Sequence, residues 1–181
     1  MYFMSSGEAN TEQTVELALK EARERGITDI VAASGSGKTA GLLAGKAKNI
    51  VCVTHANGYA VPGTSDMPEK VRQELAGQGV RLLTTTHVLS GAERGISRKF
   101  GGAYPVEIMA HSLRMFGQGV KVCVEIAVMA LDAGLVPYGK DIIAIGGTGH
   151  GADTAVIIRP AHAGNILDTF IAEIICKPVC R

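Results

Sequence analysis

Ser34-Gly35-Ser36-Gly37-Lys38-Thr39 is the stretch of this chain whose residue types and spacing could do chemistry. It follows the apolar run Ile30-Val31-Ala32-Ala33 and leads into a helix expected over Thr39–Ala47. Small residues let backbone N–H groups approach an anion closely, and the start of the following helix adds partial positive charge at the same spot. The stretch therefore reads as a cradle for a phosphate. Gly37-Lys38-Thr39 fits the end of a Walker A loop, but Ala32 stands where its first glycine belongs. No apolar run ends in the aspartate that would hold Mg²⁺, which counts against an NTPase. Gly35, Gly37 and Ala40 satisfy the dinucleotide string Gly-x-Gly-x-x-Ala, yet Thr54 and His55 stand where a ribose-binding acid belongs. Gly147, Gly149 and Ala152 match that string as well, but they lead into a strand and fail on context.

The elements that must position these residues follow from apolar periodicity. Asn10 with Gln13, Asp66 with Glu69, and Ser90 with Glu93 have capping-box spacing and predict three helix starts, with Gly26, Gly79 and Gly101-Gly102 as stops. Two further helices are expected between Pro105 and Gly134, separated by Gly117-Gln118-Gly119. In the second, Lys121, Glu125 and Asp132 leave only a narrow polar stripe, which predicts burial by the sheet and by another subunit. Apolar, β-branched runs predict strands over Asp29–Ala33, Asn49–Thr54, Val80–Thr86, Asp141–Ile145 and Asp153–Arg159, with one more edge segment at Phe170–Ile175. The connection between the fourth and fifth strands is too short for a crossover helix, so the fifth should run antiparallel. The expected architecture is a three-layer α/β/α domain, spanning residues 1–181 without a composition break.

Ligands of such sheets bind beyond the carboxyl ends of the strands, where strand order reverses. Those ends are Ser34–Thr39, Thr54-His55, Thr86-His87 and Gly146-Gly147-Thr148-Gly149, all hydroxyls, imidazoles or bare backbone. They suit a polar ligand lying along the edge. His55 and His87 can touch a ring or a phosphate, or simply bond within their loops, and two imidazoles alone make an incomplete metal site. Asp153 can hold a ribityl or ribose hydroxyl or brace its own turn. Lys38 can add charge to the phosphate contact or sit on the first turn of an exposed helix. No general acid, base or nucleophile constellation is legible.

Composition narrows the partners. A formal net charge of +1 argues against a nucleic-acid surface, and no apolar run approaches membrane-spanning length. Cys52 and Cys123 lie inside apolar segments, and free thiols are the expectation for Cys176 and Cys180. No zinc-like Cys or His spacing is present, so no metal is expected. These features, with no signal-peptide pattern at Met1-Tyr2-Phe3-Met4, lead to the expectation of a cytoplasmic protein.

The order of motifs is similar to that of the C-terminal α/β domain of pyruvate kinase, and over nearly its full length the chain resembles stand-alone relatives of that domain. The residues carrying the resemblance are Asn10-Thr11-Glu12, Ser34–Ala40, Val53-Thr54-His55, Leu89–Arg94, Phe100-Gly101-Gly102, Phe116–Glu125, Gly147–Ala155 and Ile174–Pro178. The resemblance implies a mostly parallel five-stranded sheet of order 3-2-1-4-5 with the fifth strand antiparallel. It implies a phosphate at Ser34–Thr39, as pyruvate kinases bind an allosteric sugar bisphosphate there, and flavin mononucleotide (FMN) as the ligand of the stand-alone relatives. Pyruvate kinase activity is not implied, since the catalytic barrel is absent from these residues. The resulting expectation is a homo-oligomeric FMN-binding protein, open to a flavin-dependent oxidoreductase role. The alternative is a non-catalytic module that senses a phosphorylated metabolite such as a sugar phosphate.

Overall fold

The structure, a computed structural model, describes residues Met1–Cys180. Its sheet contains β1 (Tyr2–Phe3), β2 (Asp29–Ala33), β3 (Asn49–Val53), β4 (Val80–Leu83), β5 (Ile142–Gly146), β6 (Thr154–Arg159) and β7 (Phe170–Pro178). The helices are α1 (Thr11–Arg25), α2 (Lys38–Leu43), α3 (Glu69–Gly77), α4 (Gly91–Phe100), α5 (Pro105–Arg114) and α6 (Gln118–Asp132). The strand order is β1-β7-β6-β5-β2-β3-β4. β2, β3, β4 and β5 run parallel, while β6 pairs antiparallel with β5 through Ile143↔Ile157 and Ile145↔Ala155. The five expected strands thus stand in the expected order. The further segment expected at Phe170–Ile175 is β7, antiparallel to β6, and it is not the edge of the sheet because β1 pairs parallel with its outer side.

The period-two pattern of the strands divides the core into two layers. Ile30, Ala32, Ile50, Cys52, Ile143 and Ile145 pack against Val15, Ala18, Leu19 and Ala22 of α1, Ala40 and Leu43 of α2, and Leu75 of α3. Val31, Val51, Val53, Ile142 and Ala144 face the other way, onto α6 and Ala110 of α5. Adjacent residues of one strand therefore serve opposite faces, as a central strand covered on both sides requires. Each fully buried aliphatic side chain of this kind contributes roughly 1.5–3 kcal/mol.

Several local expectations are corrected. β4 ends at Leu83, so Thr84, Thr85 and Thr86 lie in the loop beyond it. α2 stops at Leu43, not Ala47. None of the three capping boxes forms, and in each pair one side chain is bonded elsewhere. The Asn10 amide donates to Ser5 O, Asp66 bonds His55, and the Glu93 carboxylate accepts the Val106 N–H. The last contact ties the start of α5 to α4. Capping-box spacing registers only local sequence, and tertiary partners prevail over it here.

No helix among the described residues is long and apolar enough to cross a membrane.

Candidate functional site

β2 and β5 are parallel neighbours whose chains leave the sheet in opposite directions, and a cleft of ≈ 980 Å³ opens at their carboxyl ends. Five groups of residues line it: the loop after β2, an aromatic wall after β3 and β4, a cationic wall from α4, α5 and α6, the glycine turn after β5, and Glu8, Ala9, Thr11 and Glu12 around the start of α1.

The loop after β2 is fixed by its own backbone. Ser34 N–H donates to Val53 O at 3.0 Å, extending the ladder to β3, and the Ser34 hydroxyl accepts the Ala40 N–H at 3.5 Å. Gly37 turns the chain at φ 89°, and a Cβ there would lie 2.6 Å from Val71 of α3. Gly37 is therefore required for packing against α3 and does not itself line the cleft. Ser34, Gly35, Ser36, Lys38 and Thr39 do. Lys38 is largely exposed and reaches Glu8 at 3.3 Å, a pair that contributes little because both ends are solvated.

The aromatic wall unites residues distant in sequence. His55 and Tyr59 stack at 4.0 Å between ring centroids, and His87 stands 6.1 Å from each. His55 Nδ1 bonds Asp66 Oδ2 at 2.6 Å, while its ring lies against Gly35, where a Cβ would come within 2.9 Å of Cε1. Only a glycine at position 35 lets the imidazole settle on the loop. His87 Nε2 donates to Thr54 O at 3.4 Å. Burial pushes the His87 imidazole below its ordinary pKa; Glu125 and the Thr54 carbonyl oppose this, and Lys121 and His55 reinforce it. Thr54 borders the cleft but spends its hydroxyl on Thr84 Oγ1 at 2.6 Å. Among the described residues, no group of three or more His, Cys, Asp or Glu side chains could hold a metal.

The cationic wall consists of Arg94, Arg114 and Lys121, with Gln118 and the single carboxylate Glu125. Lys121 Nζ donates to Glu125 Oε2 at 2.6 Å, and Glu125 Oε1 accepts the Leu89 N–H at 3.1 Å. The side chains of the pair are only 6% and 5% exposed. Burial pushes the Lys121 ammonium below its ordinary pKa; Glu125 opposes the shift, and Arg114 and Arg94 add to it. Of the polar stripe of α6, Lys121 and Glu125 are thus buried within one chain, while Asp132 at its end stays exposed.

Gly147, Gly149, His150 and Gly151 form the fourth side. Asp153 does not reach the cleft. It is fully buried, accepting the Gly7 N–H at 2.9 Å, the Thr148 N–H at 3.2 Å and the Thr154 hydroxyl at 2.7 Å. With its carboxylate so occupied, Asp153 braces the turn and holds no ligand hydroxyl. Gly146 packs against α6, where a Cβ would meet Gly119 O at 2.7 Å. Thr86 lies in the loop beyond β4, and neither it, Gly146 nor Thr148 lines the cleft. Tyr59, Asp66, Arg114, Lys121, Glu125 and His150 line it without having been singled out from the sequence as site residues. The one legible signal was the charge pair Lys121 and Glu125, four apart on an otherwise apolar helix, a spacing at which the two ends meet.

A mainly parallel sheet with a polar cleft at its switch point defines an α/β domain of the open-sheet class. The sequence profile of the family "Pyruvate kinase, alpha/beta domain" matches residues 12–158, so the chain belongs to that family. Solved structures of Cryptosporidium parvum pyruvate kinase are similar to it at low identity. One aligns at 15% identity and a TM-score of 0.44, over 82% of this chain and 22% of that chain. Another, in complex with ADP, aligns at 15% identity and a TM-score of 0.41, over 81% of this chain and 22% of that chain. The chain thus spans about a fifth of the length of the pyruvate kinases it matches.

Proposed function

We propose that the cleft binds a phosphorylated ligand with a flat ring system, FMN, with its phosphate at Ser34, Gly35, Ser36 and Thr39 and its ring at His55, Tyr59 and His87. The observation that carries this reading is the presence of both features in one cleft of ≈ 980 Å³. Such a volume suits a nucleotide-sized ligand. Hydroxyls and close-approach backbone suit a phosphate, and the stacked His55–Tyr59 pair offers an aromatic face to a ring. FMN, when bound, supplies redox chemistry. The chain itself contributes a hydrogen-bonded imidazole and carboxylate, His55 and Asp66, able to hold or move a proton at the edge of the ring.

The visible absorption and fluorescence of gently purified protein, followed by FMN titration, tests the reading. Bound flavin, or saturation at micromolar FMN, is expected. Absence of both overturns it.

A second reading, a non-catalytic sensor of a sugar phosphate, is favoured by the cationic wall. On this wall Arg94, Arg114 and Lys121 outnumber the carboxylate of Glu125, the other carboxylates of the cleft being Glu8, Glu12 and Asp66, and they suit a second anionic group that FMN lacks. Thermal stabilisation by a sugar bisphosphate but not by FMN would select it.

In either case the protein is read as cytoplasmic and homo-oligomeric. α4 buries no residue within one chain, and Ile96, Phe100, Ile108, Met115 and Phe116 stay exposed on α4, α5 and the turn after them. Light scattering on a sizing column measures the subunit count.

A further inference from the structure

We infer that Lys121 is a carbonyl-capturing amine, and that the cleft takes phosphorylated aldehydes or ketones as covalent imines on its Nζ. The inference rests on the phosphate half of the reading above and not on its flavin half. A surface lysine forms imines slowly because it stays protonated and hydrated. Lys121 differs in three respects. It is buried on α6 yet lines the cleft that contains the phosphate-type loop. Its only hydrogen-bond acceptor among the described residues is Glu125 Oε2 at 2.6 Å, so the ammonium has a proton acceptor already aligned. Glu125 is in turn held by the Leu89 N–H at 3.1 Å, which leaves Oε2 directed at the amine.

Neighbouring groups support the same chemistry. Arg94, Arg114 and a half-buried His87 face the pair from α4, α5 and the loop after β4, and the two guanidinium groups disfavour a third cation at Nζ. A buried amine among cations, next to a base, is the arrangement that activates lysine nucleophiles. Arg94 and Arg114 can also polarise the carbonyl oxygen of a bound ligand as charge builds on it.

The step balances without an oxidant or reductant. The Lys121 ammonium passes a proton to Glu125, and the free amine attacks the carbonyl carbon as the carbon–oxygen π bond breaks onto oxygen. After a proton moves from nitrogen to that oxygen, the Glu125 carboxyl returns its proton to the hydroxyl, and water leaves. The product is a protonated imine facing the Glu125 carboxylate, so one ammonium and one carbonyl have given one iminium and one water.

Pyridoxal 5′-phosphate is the probe, since it carries both an aldehyde and a phosphate. The native protein is treated with a substoichiometric amount, reduced with borohydride and mapped by peptide mass spectrometry. The inference expects most of the label on Lys121, reduced severalfold by excess inorganic phosphate and lost in Lys121→Arg. Should that variant not fold, the wild-type map still decides. Label spread over exposed lysines such as Lys38 and Lys70, with Lys121 unmodified, overturns the inference. Equal labelling of Lys121 by pyridoxal supports the amine and removes the phosphate site. Labelled Lys121 in a protein that binds no FMN supports the inference and removes the flavin reading, and FMN binding with Lys121 unlabelled does the reverse.

Discussion

Replacing Glu125 by Gln probes the energetics of the cationic wall. Glutamine keeps an oxygen to accept the Leu89 N–H, so the perturbation is the loss of one negative charge beside Lys121 Nζ at 2.6 Å. Breaking a buried ion pair from one side costs about 3–5 kcal/mol, because the remaining charge is uncompensated. Lys121 sets its own ceiling, since it can shed its proton instead. Neutralising a lysine of ordinary pKa costs about 1.4 kcal/mol per pH unit below about 10.4, hence about 5 kcal/mol near pH 7 and about 2 kcal/mol near pH 9. The sign follows from proton counting. Between these pH values the unfolded Glu125→Gln chain carries a proton on Lys121 that the folded chain lacks, so its stability rises with pH. Urea unfolding of wild type and variant at both pH values is the assay. The expected penalty is about 3–5 kcal/mol near neutrality, a fall in melting temperature of very roughly 6–20 °C for a chain of this size, shrinking to about 2 kcal/mol in alkali. Lys121→Met/Glu125→Leu, which removes both charges, should recover most of it. A penalty below about 1 kcal/mol, or one unchanged by pH, would refute the claim that the pair is buried and mutually compensating.

Three further outcomes test other parts of the site. Gly35→Val puts a Cβ about where His55 Cε1 lies 2.9 Å away, so the ring must leave the loop; FMN affinity should fall by about tenfold in fluorescence titration while the urea midpoint moves by less than the equivalent of about 3 kcal/mol. His87 has its pKa lowered from 6.5, so in acid the unfolded chain takes up a proton that the folded chain resists. Stability should therefore fall as pH drops through the window below 6.5, and His87→Asn should flatten that part of the urea-unfolding profile. Of the free cysteines, Cys180 is exposed, whereas Cys52, Cys123 and Cys176 are buried and burial pushes the Cys52 thiol up to about 12. A thiol reagent at about pH 8 should modify Cys180 rapidly and the other three only on unfolding.

The layers of the fold were legible because two periodicities are unambiguous. Asp29–Ala33 and Asn49–Val53 are short apolar runs between turn signals, and the short β5–β6 connection dictated an antiparallel pair. The outer strands were less so. β1 is two residues long, and β7 alternates exposed and buried positions irregularly around register shifts in its pairing with β6. Within the cleft, the glycine and serine positions could be read from composition and from their place after a strand. The rest depended on contacts that cross the chain. Asp66 and Glu93 have the spacing of helix caps and serve instead His55 and the start of α5. Asp153 sits beside a glycine turn as a ligand-binding acid would, and only the bonds from Gly7, Thr148 and Thr154 show that its oxygens are occupied. Tyr59 and Arg114 carry no local signal, because nothing in a sequence says which loop folds over which strand end.

The central claim is that the loop after β2 anchors the phosphate of a flat-ringed ligand. Parallel fluorescence titrations with FMN and riboflavin, which differ only by that phosphate, test it most directly. Charge-assisted hydrogen bonds of about 1.5–3 kcal/mol predict FMN binding at least about tenfold tighter than riboflavin. Equal affinities, or no binding of either, would contradict it.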